Sequence, residues 1–174
     1  DEPAWYGVSC DRNGHVRDLN LRNNALRGCL PEALGRLAAL TQLHVEGNGI
    51  AGPIPQSLGS LVRLTWLVAS QNQFSGPLPA ALGGLASLVE MRLSGNALTG
   101  PIPPQFGRLK QLTSLQLSHN RLDGHIPPEL GALQRLAYCH MDHNLLEGPI
   151  PASLAGIASL KELSLDHNRL TGGL

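Results

Sequence analysis

Histidine returns at a fixed interval late in the chain: His119, His143 and His167 are each 24 residues apart. His140 and Asp142 lie close to them in sequence. If successive 24-residue units stack as neighbouring strands, the three imidazoles stand about 5 Å apart. Imidazoles at that spacing can ligate zinc or nickel. Near neutral pH they can also take up protons and repel one another. No short-spaced ligand motif of the structural-zinc kind accompanies them. The sequence therefore reads as a solvated ladder, with no metal and no cofactor expected.

A second group is aromatic and charged. The chain holds two Trp, two Tyr and two Phe. Trp66 and Tyr138 each stand six residues before an asparagine that recurs every 24 residues. The column at that offset also holds Gln42, Glu90, Ser114 and Glu162. Four residues before each asparagine come His44, Val68, Arg92, Gln116 and His140, and two before come Arg22, Glu46, Ser118, Asp142 and Asp166. These columns vary while the positions between them stay apolar, so packing does not dictate them. Aromatic residues and arginine dominate binding energetics at interfaces. One expected patch is Trp66 with Val68, His44 and Arg92. A second is Tyr138 with His140 and Asp142. Glu46, Glu90, Gln116 and Arg22 complete the candidate partner-binding set.

The elements that must position these side chains follow from the repeat. Its marker is Asn24, Asn48, Asn72, Asn96, Asn120, Asn144 and Asn168, with no slip in register. A fixed period of this length means stacked units, each touching only its neighbours. Apolar residues precede each asparagine in an L-x-x-L-x-L pattern, as at Leu112, Leu115 and Leu117. The spacing of two is strand spacing. After each asparagine come an apolar residue at plus two and glycine at plus four. A Leu/Ile-Pro pair and a Leu-Gly step follow in most copies, such as Ile54-Pro55 and Leu58-Gly59. The expected coil is a short strand, then a bend at the asparagine, where its carboxamide satisfies backbone groups of its own and adjacent coils. Gly35, Gly59, Gly83, Gly107 and Gly131 are expected to supply positive backbone angles at a corner. Ala155 breaks that series and Gly156 follows, so this corner is expected to shift by one residue. Ala69 is small for an interior position, and Phe74 is expected to fill the gap.

The segment "LTSLQLSHNRLDGHIPPELGAL", Leu112 to Leu133, resembles the plant-type leucine-rich repeat, L-x-x-L-x-L-x-x-N-x-L-x-G-x-I-P-x-x-L-G-x-L. The likeness runs from about Val16 to Leu174. Trp5-Tyr6-Gly7-Val8-Ser9-Cys10, followed by Gly14-His15-Val16, is similar to that family's N-terminal cap, except that Pro3 stands where a cysteine is usual. The resemblance implies an α/β repeat solenoid: a right-handed superhelix with a parallel concave β-sheet and a convex side of short strands, turns and 3-10 segments. The implied organisation is a cap at 1–15 and seven repeats over 16–174, the last truncated and without a C-terminal cap. It also implies a non-catalytic module that binds a protein or peptide, as in plant receptor-like kinase ectodomains and polygalacturonase inhibitors. Such members are secreted or at the cell surface. The alternative is a structural or adaptor segment of a larger intracellular protein. Similar repeats occur in algal, protist and bacterial proteins, and this chain lacks an N-x-S/T sequon.

Composition narrows the classes further. Thirteen basic and thirteen acidic side chains cancel, which argues against nucleic acid as partner. No apolar stretch is long enough for membrane insertion. No phosphate loop, dinucleotide fingerprint, G-x-S-x-G or H-E-x-x-H motif occurs, so no enzyme is expected. Cys139 fills an apolar offset and is expected to be buried, while Cys10 and Cys29 are open to pairing or to remaining free. The last copy stops at Gly173-Leu174, so the expectation is a chain cut from a longer one or covered at that end. A monomer is expected, with an end-to-end dimer through the open sheet edge as the alternative.

Overall fold

The computed structural model describes residues 6–172. Pro3 and Trp5, part of the expected cap, lie outside the described residues. Each 24-residue unit forms one coil. Its apolar stretch makes a short strand: Val16–Asn20, Gln42–His44, Trp66–Val68, Glu90–Arg92, Ser114–Gln116, Tyr138–His140 and Glu162–Ser164. These seven strands pair in parallel, each with the next coil's. Leu43, Leu67, Met91, Leu115, Cys139 and Leu163 therefore share one row, and the side chains flanking them form rows of their own. At the N-terminal edge Val8–Cys10 pairs antiparallel with Val16–Asn20. The Asp11 carboxylate pins the intervening turn by accepting from the N–H of Asn13 at 2.8 Å and of His15 at 3.0 Å. Those backbone donors, His15 first, hold its carboxyl below the usual range.

Beyond each strand the chain bends through one residue of left-handed backbone. Asn23, Gly47, Gln71, Gly95, His119, His143 and His167 hold this position, with φ between +53° and +69°. The recurring asparagine comes next, and its carboxamide turns inward. Asn120 is typical. Its Oδ1 accepts from the N–H of Leu98 in the preceding coil at 3.1 Å. Its Nδ2 donates to the carbonyls of Leu93, one coil back, at 3.1 Å and of Leu117 in its own coil at 3.0 Å. The same pattern holds at Asn48, Asn72, Asn96, Asn144 and Asn168. Asn24, in the first coil, only donates to its local Arg22 carbonyl and is exposed.

The return path is extended and then tightly wound. Gly28, Gly52, Gly76, Gly100, Gly124, Gly148 and Gly172 take φ from +71° to +98°. Most of them lie within short strands, such as Gln73–Pro77 and Ala97–Pro101, which pair in parallel from coil to coil. The residue before proline is driven out of the helical region. The prolines at 31, 55, 79, 103, 127 and 151 are extended themselves and each leads into a five-residue 3-10 turn. All helical structure among the described residues is of this kind. No helix there is long and apolar enough to cross a membrane.

Two expectations about glycine need correction. Gly35, Gly59, Gly83, Gly107 and Gly131 do not have positive φ. Their constraint is proximity. A Cβ on Gly59 would lie 2.2 Å from the carbonyl oxygen of Ala81, and one on Gly107 would lie 2.4 Å from that of Glu129. Successive 3-10 turns therefore stack backbone to backbone, and only glycine allows it. The corner at Ala155 does not shift, because its turn spans Ala152–Gly156 in the same register as the others.

Between sheet and turns lies one continuous apolar interior. It runs from Leu40 to Ile157 and includes Leu58, Leu82, Phe106 and Leu130. Ala69 and Phe74 are both buried within it. A solenoid core of this kind is shared between coils, so loss of one inter-coil tie weakens two coils at once. Replacing Asn120 by Ala strands the Leu98 N–H in a dry interior, at about 1–3 kcal/mol, and leaves the Leu93 carbonyl with one donor, from Asn96. Asn96→Ala acts in the same way. The expected result in chemical denaturation is a loss of at least about 2 kcal/mol for either variant and under about 1 kcal/mol for Asn24→Ala. Equal losses at all three positions would contradict it.

Candidate functional site

The concave face carries the candidate residues in the columns that their spacing implied. Gln42, Trp66, Glu90, Ser114, Tyr138 and Glu162 are direct strand neighbours in that order, as are His44, Val68, Arg92, Gln116, His140 and Ser164. Side chains alternate across a strand, so both columns point away from the leucine core.

Trp66 and Tyr138 are about two-fifths exposed, at 40% and 41%. They stand three strands apart, about 14 Å at the usual strand spacing. His44 sets its ring edge-on to Trp66, with centroids 5.8 Å apart and planes at 90°. Glu90 and Arg92 lie between the two aromatics and are paired, the Arg92 Nε donating to Glu90 Oε1 at 2.5 Å. A shallow depression reaches from this pair to Tyr138, and of the first expected patch it includes only Arg92. It is lined by Glu90, Arg92, Ser114, Gln116, Tyr138 and His140, over Thr113.

Some expected members sit elsewhere or differ in exposure. Val68 is 8% exposed and belongs to the buried set. A short branched side chain between His44 and Arg92 in its row has little access to water. Ser114 and Ser118 are also buried, although their columns face outward. Arg22 is exposed in the first coil, two strands before Trp66, so it lies outside the depression. Glu46 approaches His44 Nδ1 at 3.8 Å, while its Oε2 is buried without a hydrogen-bond partner.

Asp142 does not join Tyr138, and this corrects the second patch. Its carboxylate turns toward the corner of the coil, where Ser118 Oγ donates to Oδ1 at 2.5 Å. His143 Nδ1 lies 2.9 Å from Oδ2. Burial pushes the Asp142 carboxyl up, but the Ser118 hydroxyl and the His143 ring outweigh it and hold the group below the usual carboxylate range. His140 instead faces Glu162 of the next coil at 3.4 Å. Sequence reasoning missed Ser118 and Glu162 as partners. The available signal was their offset: Ser118 is 24 residues before Asp142, and Glu162 is 22 after His140.

The histidine ladder is real and closely stacked. His119 and His143 have centroids 4.2 Å apart at 26°, and His143 and His167 are 4.1 Å apart at 35°. All three are exposed.

Two family models match the chain. One, described as "Leucine rich repeat", covers residues 63–122. The other, "Leucine Rich Repeat", covers residues 15–37, 39–61 and 159–174. Among solved structures, the chain is similar to the plant peptide hormone receptor RGFR1 in complex with RGF2. The identity is 38% and the TM-score 0.85, over 86% of this chain and 24% of that one. It is similar to the ectodomain of the receptor kinase GASSHO1/SCHENGEN3 from Arabidopsis thaliana, in complex with Casparian strip integrity factor 2. There the identity is 36% and the TM-score 0.91, over 98% of this chain and 24% of that one. With the BIR2 ectodomain from Arabidopsis thaliana it shares 31% identity and a TM-score of 0.66, over 97% of this chain and 77% of that one. The chain thus spans 24% of the length of the first two. No curated protein sequence matches it with significance.

The thiols take no part in the site. Cys10 and Cys29 are exposed and unpaired, so the pairing option is not realised. Cys139 lies in the core row, where burial pushes its thiol up to about 12. The thiolate is the reactive form, and at pH 8 it is about one part in ten thousand at that pKa. An aromatic disulfide reagent should therefore label two thiols of the native chain quickly, and the third only on unfolding. Three fast-reacting thiols in the native chain would contradict the placement of Cys139.

Proposed function

Because the chain belongs to the leucine-rich repeat family, we propose that it is a recognition module whose concave face takes an extended peptide or protein segment. The observation that carries this reading is the pair of exposed rings, Trp66 and Tyr138, three strands apart in one outward column, with a shallow depression running from Glu90 to Tyr138. Their separation of about 14 Å suits roughly four residues of extended chain at about 3.3 Å each. Arg92 and Glu90 offer opposite charges between the rings, and Gln116 and His140 offer hydrogen bonds. A segment laid across the strands places an apolar side chain against each ring and its backbone over the polar middle. The relatives support a ligand of this class, since one is a peptide hormone receptor solved in complex with RGF2.

The open face fits binding better than catalysis. Glu90 is paired with Arg92, and Glu162 lies beside His140. Aromatic and arginine anchors carry about 2 kcal/mol or more each at interfaces. Affinity capture with the parent chain and with Trp66→Ala, Arg92→Ala is the test. The expected result is that the partner bound by the parent is lost, or bound at least about thirtyfold more weakly. Arg121→Ala, on the other side of the coil, should leave capture unchanged. Partners retained at full affinity by the double variant would overturn the reading.

A further inference from the structure

We propose that the corner formed by His119, Asp142 and His143, continued by Asp166 and His167, is a binding site for one divalent transition-metal ion of the zinc, copper or nickel class. The donors are of the right kind, since imidazole and carboxylate together suit these borderline ions. They also lie at the right separation. Tetrahedral bonds of 2.0–2.1 Å put neighbouring donor atoms about 3.3 Å apart. Asp142 Oδ2 is 2.9 Å from His143 Nδ1 and 4.0 Å from His119 Nε2. Asp166 Oδ2 is 3.6 Å from His167 Nε2. In each trio, His119–Asp142–His143 and His143–Asp166–His167, the donor atoms lie within 4.8 Å of one another.

The fold itself sets the positions of these donors. The three histidines occupy the left-handed corner, with φ of +54°, +53° and +53°. Asn23, Gly47, Gln71 and Gly95 occupy it in the other coils. An identical backbone in successive coils makes the three Cα–Cβ bonds parallel, one strand spacing apart. Ser118 Oγ fixes Asp142 Oδ1 and leaves Oδ2 facing the rings. This is the outer support that metal-ligating carboxylates usually have. The stacked rings need only rotate about the Cβ–Cγ bond, a soft torsion, to turn their lone pairs inward. His143 belongs to both trios, which sets the stoichiometry at one ion per chain. Three protein donors leave the fourth position open to water or to a donor from another molecule. The first trio is the better one, because its aspartate is half-buried and anchored while Asp166 is exposed.

The test is calorimetric titration of zinc into the tag-free, chelator-treated chain. The parent should take up about one ion. His143→Asn keeps a residue that accepts the left-handed corner, as Asn23 does, and should abolish binding. Asp142→Asn should weaken it at least tenfold. Ser118→Ala, which removes only the outer support, should weaken it by about tenfold. His15→Asn, at the far end of the chain, should bind as the parent does. Circular dichroism matching the parent separates loss of the site from loss of the fold. No zinc uptake by the parent would overturn the assignment, as would uptake by a folded His143→Asn chain equal to the parent's.

Discussion

The interaction on which the structure depends is the buried carboxamide at each bend. A coil that turns sharply inward leaves backbone N–H and C=O groups facing a dry interior, and such groups are expensive unless paired. One asparagine per coil pairs three of them and reaches across to the preceding coil as it does so. Asn48, Asn72, Asn96, Asn120, Asn144 and Asn168 repeat these contacts within a few tenths of an ångström. A shorter or acceptor-only side chain cannot do this. Aspartate lacks the two donors, and serine lacks the reach.

With the spine fixed in this way, the face beside it is free to vary. Leucine rows, asparagines and glycines hold the coils in register, so most positions of the outward columns carry little packing duty. Chemistry then accumulates by stacking. Residues 24 apart in sequence become strand neighbours, and a side chain repeated in successive coils becomes a column. The histidine ladder arises from this rule, and so does the alternation of Trp66, Glu90, Ser114 and Tyr138 across the concave face.

Most of the fold was legible in the sequence because the period is exact and each framework position has one physical cause. Strand rows, the asparagine contacts and the extended proline segments were all readable from spacing. The glycine roles were not. Gly59 and Gly28 look alike as letters, yet one is required by the carbonyl of Ala81 and the other by its own φ of +91°. The three-dimensional approach of the next 3-10 turn is not written in the residue itself. The site was legible as columns but not as pairs. Spacing put Asp142 near Tyr138 and His140, whereas the Ser118 hydroxyl and the His143 ring draw it toward the corner. Spacing also counted Val68 as open surface, because it gave the side of the strand and not the size of the neighbours.

The carboxamides hold the coils together by hydrogen bonds to specific amides. Hydrogen exchange at those amides reads these bonds one by one. The N–H groups of Ile50, Phe74, Leu98, Leu122 and Leu146 each donate to an asparagine Oδ1 of the next coil. They should exchange as slowly as sheet amides such as that of Leu117, which donates to the carbonyl of His140. Exchange of these five at the rate of an unprotected peptide, with Leu117 still slow, would contradict this role of the carboxamides.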